Sequence, residues 1–181
     1  MRIAFRLLLL SSASLLSVSA PLAADDAKSL FQTHFAGVAG GTPCYAHSYS
    51  AEHLKAHEAQ RVIRIELDMA KETPDGKPIT EETMELGFGV QVRDTPRWYT
   101  NVAVCKSAGA SINCFLESDG GNFTLTAAGG GGLRLETGET GLAIEGDDFL
   151  ELPHDQGDDA VFVLEPADHS ACAAATAGVT E

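Results

Sequence analysis

Positive charge is scarce in this chain. Twelve lysines and arginines face 26 aspartates and glutamates over 181 residues, a formal net charge of −14. Nucleic acid and anionic membrane surfaces repel such a protein. Long apolar runs are absent after the first two dozen residues, which excludes a membrane-spanning helix downstream. No CxxC pair occurs among the four cysteines, so neither a zinc knuckle nor a thioredoxin-type redox site is indicated. GxSxG and HExxH are missing, and with them the common signatures of a serine hydrolase and a zinc hydrolase. Tryptophan occurs once, at Trp98.

What is present begins with a leader. MRIAFR supplies two positive charges, LLLLSSASLLSVSA an apolar run, and PLAA the small residues of a cleavage site, which together read as a signal peptide over residues 1–24. Cleavage after Ala23 or Ala24 places a small residue before the cut. Export follows, and the mature chain of about 157 residues fits one domain with one sizeable core. Its ten basic residues against 26 acidic ones give a formal charge of −16.

Four cysteines in an exported chain lead to two disulfides. Three pairings are possible. VAVCKSAGASINCFL reads as two strands around a loop of small residues, which favours Cys105 with Cys114 and leaves Cys44 to join Cys172. The second bond encloses the longer loop and constrains the unfolded chain more.

A period of two dominates the rest. In RVIRIELDM, Ile63, Ile65, Leu67 and Met69 alternate with Arg64, Glu66 and Asp68, which places one row inside and the other in water. TMELGFGVQVR repeats the pattern through Met84, Leu86, Phe88, Val90 and Val92, with Gly87 and Gly89 on the polar row, where glycine marks a bend or a close approach. WYTNVAVCK and SINCFLES continue it. Apolar pairs then recur at Phe123 and Leu125, Leu133 and Leu135, Leu142 and Ile144, Leu150 and Leu152, and Val161 and Val163, separated by turns rich in Gly and Asp. Such spacing indicates an all-β protein. We expect a single antiparallel meander closing into a barrel or sandwich of about 8–10 strands over residues 25–172. Helix is confined to a short N-terminal segment in DDAKSLFQTHFAGV, with Phe31, Phe35 and Val38 at helical spacing, and to one or two turns of SAEHLKAHE capped by Ser50. Residues 173–181 show no periodicity and are expected to form a disordered tail.

CYAHSYSAEHLKAHE concentrates His47, His53 and His57. On a helix His53 and His57 face one side and could hold a metal, with His47 or Glu58 as a further ligand. HLKAH lacks the glutamate of HExxH, and exposed histidines on a connecting turn are the preferred reading. EGDDFLELPHDQGDD carries five aspartates without the spacing of a calcium loop and reads as acidic turns. Trp98 is expected in the core or as a plug at the barrel end. No catalytic, cofactor or metal residue is assigned, and no cofactor is called for.

The function expected from these features is an exported non-catalytic binding protein, an inhibitor or protein-interaction module, whose acidic barrel meets a basic protein. Two alternatives stand beside it. One is a carrier of a small apolar ligand of calycin type, whose size and β meander are shared although the GxW signature is absent at Trp98. The other is a metal-dependent enzyme at His47, His53 and His57.

Overall fold

The computed structural model describes residues 28–36, 43–72, 75–144 and 148–178. The leader, Val38 and the last three residues lie outside them. Nine strands form: β1 Cys44–Ser48, β2 Val62–Met69, β3 Met84–Val92, β4 Trp98–Ala108, β5 Ser111–Leu116, β6 Gly121–Ala127, β7 Leu133–Ile144, β8 Leu150–Leu152 and β9 Val161–Ala167. Among the described residues three short α-helices accompany them: α1 Leu30–His34, α2 Ala51–Ala56 and α3 Ala173–Gly178.

β1 to β7 pair in sequence order, and β9 runs between β7 and β1 to complete a closed antiparallel ring of eight strands. β8 is the extra strand. It pairs only with Leu142–Ile144 at the far end of β7, whereas Leu133–Glu136 at the near end pair with β9. One long strand thus accounts for two of the apolar pairs that the sequence reading separates, Leu133/Leu135 and Leu142/Ile144. Gly121 on β6 and Gly141 on β7 lie where β7 changes partners. Both have positive φ, +88° and +72°, and a side chain on Gly121 would collide with the backbone oxygen of Gly141.

The inner rows carry the apolar residues. Ile65, Leu67, Met84, Leu86, Phe88, Phe123, Leu125, Leu133, Leu135 and Phe162 are all fully buried in one continuous core. Phe88 and Phe123 meet across it with ring centroids 5.6 Å apart. Arg64, Lys106, Asn113 and Glu136 alternate with them on the exposed outer rows. This apolar-in, polar-out arrangement is the reverse of a membrane barrel's wall. No helix among the described residues is long and apolar enough to cross a membrane.

Both disulfides form, Cys44–Cys172 and Cys105–Cys114, and no cysteine is free. The short bond joins directly opposed residues of β4 and β5 inside the barrel. The long bond lies on the outer face, where it anchors the C-terminal segment.

Helix α1 closes one end. Ser29 and Gln32 form a reciprocal capping box, Leu30 N donates to Gly109 O at the β4–β5 turn (2.8 Å), and Leu30, Phe31 and Phe35 bury their side chains in the core. The Tyr45 hydroxyl donates to His34 O (2.8 Å), and burial pushes its pKa up to about 12. Because α2 joins β1 to β2, antiparallel order places it at the opposite end.

Four expectations need correction. Val161 and Val163 are exposed, and Phe162 and Leu164 fill the inner row of β9, so the phase there is shifted by one. Trp98 is half-buried on the outer row, with the Arg64 guanidinium 4.9 Å from its ring centre, and Tyr99 takes the core position. Of the tail expected at residues 173–181, Ala173–Gly178 form α3. There, Glu66 and Asp68, expected in water, are only 2% and 1% exposed. They lie on the outer row of β2 as alternation requires, but α3 covers that row. Gly89 makes the close approach possible: a Cβ built on it would lie 3.3 Å from Ala175 N.

Candidate functional site

Two polar constellations emerge from this fold. The first sits beneath α3. Glu66 Oε2 accepts from Ala174 N and Ala175 N at the start of the helix (3.1 and 3.3 Å), and Asp68 Oδ2 accepts from Thr176 Oγ1 (2.7 Å). Asp68 Oδ1 lies 3.3 Å from His169 Nδ1. Burial raises both carboxyls above their usual range, although these partners pull the other way. The arrangement is a latch for the C-terminal segment, since one oxygen of each carboxylate is engaged by the helix, while Glu66 Oε1 accepts from Arg64 (3.4 Å).

The second constellation lies at the seam where the ring closes. β1 and β9 pair only over Cys44–Ala46 and Glu165–Ala167. Beyond Ala46 the ladder stops, and a groove of about 520 Å³ opens, lined by His47, Tyr49, His53, His57, Gln60, Asp158, Val161 and Val163. That volume falls within the range of ligand clefts. His47 pairs with the fully buried Ile65, which places it on the inner row of β1, whereas Val161 and Val163 are on the outer row of β9. The groove therefore crosses the wall of the barrel at its seam.

Local sequence explains the positions of its rings. Ser50 caps α2 by accepting from His53 N (3.1 Å), so that one turn of helix brings His53 and His57 over one another and over Tyr49. Ring centroids are 4.4 Å apart from His47 to Tyr49, 4.7 Å from Tyr49 to His53 and 4.3 Å from His53 to His57. The last pair is inclined by 17° and stacks face to face. Tyr49 is pushed up to about 12 by burial, reinforced by the nearby charge of Asp159, and stays a neutral phenol.

Hydrogen bonds fix the protons on two of these rings. Gln60 Nε2 donates to Val62 O (2.8 Å), which leaves its Oε1 toward His53 Nε2 at 2.9 Å, so that nitrogen carries the proton. His57 Nδ1 donates to Asp158 Oδ2 (3.2 Å). His47 Nδ1 is buried without a hydrogen-bond partner. Asp159 beside Asp158 is buried and accepts from Arg61 N and Val62 N (2.7 and 3.0 Å), which ties the acidic turn to the start of β2. Its carboxyl is raised by burial.

Comparison with protein-family models, with curated proteins and with solved structures returned no match. Chemistry must then be read from geometry.

His47, His53 and His57 line one groove, but His53 and His57 stack face to face, and Tyr49 stands between them and His47, whose ring is tilted by 59° against it. Nitrogen lone pairs lie in the ring planes, and nearly parallel planes 4.3 Å apart do not direct them at a common point. Among the described residues no three His, Cys, Asp or Glu side chains are disposed to hold a metal. Tyr49, Gln60, Asp158, Val161 and Val163 escaped the sequence reading as site residues. Only the closure of the ring, which joins positions about a hundred residues apart, brings Asp158 to His57.

Proposed function

We propose that this chain is an exported, non-catalytic binding protein that meets a basic protein partner on the outside of its acidic barrel, at the seam cleft. The observation that carries the reading is the combination found there. A carboxylate, a column of aromatic faces and two exposed valines line one groove, in a chain with a formal charge of −14. Interfaces of this kind pair an apolar or aromatic centre with complementary charge. Two disulfides, with no thiol left free, support export. The carrier alternative is less well supported, because Phe88, Phe123 and Phe162 occupy the interior that an apolar ligand would need. An inhibitor is one form that such a module takes.

Immobilised protein challenged with the exported proteins of its own source tests the reading. Retention of basic proteins at low salt, with release as salt is raised, is expected. Retained proteins no more basic than the starting mixture, or retention indifferent to salt, would contradict it.

A further inference from the structure

Resting on that reading, we propose that the seam cleft is a receptor for an arginine side chain of the partner. Its lining is rich in acceptors. With Nε2 of His53 given to Gln60 and Nδ1 of His57 to Asp158, the second nitrogen of each ring, Nδ1 of His53 and Nε2 of His57, is left for a further hydrogen bond. Asp158 is half exposed and adds the negative charge. A carboxylate can accept more hydrogen bonds than the one it receives from His57.

Shape narrows the choice of cation. Tyr49, His53 and His57 stack on one another, which leaves the outer face of the half-exposed His57 for a flat guanidinium, and its five donors in a fixed fork suit acceptors spread along the groove. A lysine ammonium is a compact, strongly hydrated point charge and gains less from such a wall. Val161 and Val163 cover the methylene stem of the incoming side chain. Two arginines beside the groove are directed elsewhere: Arg93 donates to the carbonyls of Leu54 and His57 (3.3 and 3.1 Å), and Arg61 to that of Glu151 (2.6 Å). The same pairing occurs within this chain, where Arg64 lies over Trp98.

Titration of isotope-labelled protein with acetyl-Ala-Arg-Ala-amide, followed by NMR of the histidine rings and valine methyls, is the test. Counterpart peptides carry lysine or the neutral isostere citrulline. The arginine peptide is expected to move the His47, His53 and Val163 signals saturably, the lysine peptide several-fold more weakly, and the citrulline peptide not at all. Asp158→Asn should weaken the arginine response several-fold, and Val104→Ala, remote from the groove, should leave it unchanged. No response to arginine, an equal response to citrulline, or shifts confined to another surface would overturn the proposal. If basic exported proteins are still retained by Asp158→Asn and Val163→Asp variants as by the wild type, the arginine site is wrong, and basic partners are met elsewhere on the acidic surface. Loss of all retention by the wild type ends both.

Discussion

Opening the Cys44–Cys172 bond with Cys44→Ser and Cys172→Ser should cost more than any other change confined to the outer face. The bond spans 128 residues of sequence, and in the chain-entropy model a loop of that length corresponds to about 4.9 kcal/mol at 25 °C. Cys105–Cys114, spanning 9, corresponds to about 2.6 kcal/mol. Against a total stability of about 5–15 kcal/mol, the first loss is a large fraction. It also has a local consequence. Cys172 is fully buried with Cys44 and Ala175 at the top of the latch, so its release lets α3 leave Glu66, Asp68 and Gly89. Part of the loss is offset as the two carboxylates regain water. Equilibrium unfolding in urea, with amide exchange read at Ala174 and Ala175, measures both effects. A cost under about 1 kcal/mol, or α3 amides as protected as in the wild type, would refute the reasoning.

Further expectations concern packing and pH. Phe162→Ala should cost about 3–5 kcal/mol and Val163→Ala under about 0.5, and equal costs would show that the phase of β9 is misassigned. Gly89→Val should cost about 1–3 kcal/mol by pushing on the backbone of α3, with faster amide exchange at Ala175, and unchanged exchange would contradict the close approach. Glu66, Asp68 and Asp159 have folded pKa values raised by burial. A carboxyl of this kind contributes stability that is complete below its unfolded value, about 4, and is lost as pH rises through the folded value. Urea midpoints should therefore rise on acidification from neutral pH toward about pH 4, with a shallower rise in Asp68→Asn. Identical slopes would contradict the burial of Asp68.

The architecture was legible because alternation is a local signal. Leu86, Phe88 and Val90 announce an inner row without reference to any other strand, and so do Phe123 and Leu125. The disulfide pairing followed from the same reading, as Cys105 and Cys114 flank a hairpin. Errors arose where tertiary contacts override local pattern. Val161 and Val163 are the better strand formers by composition, yet Phe162 and Leu164 face inward, because β9 must match the register of Leu133–Glu136 on β7. The alanines of AAATAG carry no apolar periodicity and suggest nothing, although small residues are what allow a helix to lie against Gly89. Glu66 and Asp68 look solvated until that helix is in place. In the candidate site, the i, i+4 spacing of His53 and His57 was visible, but its use for stacking over Tyr49 was not. Nor could local sequence show that the seam would stop pairing at Ala46.

The central claim is that partners are met at the seam outside a filled barrel. Incorporating a photo-reactive phenylalanine analogue at position 163 or, separately, at position 104 tests it most directly, since Val163 and Val104 are equally exposed, at 47% and 48%, but only Val163 lines the cleft. On irradiation with exported proteins, position 163 should give an adduct with a basic protein that disappears at high salt, and position 104 should not. Adducts of equal yield at both positions, or adducts from position 163 that survive high salt and contain no basic protein, would contradict the account.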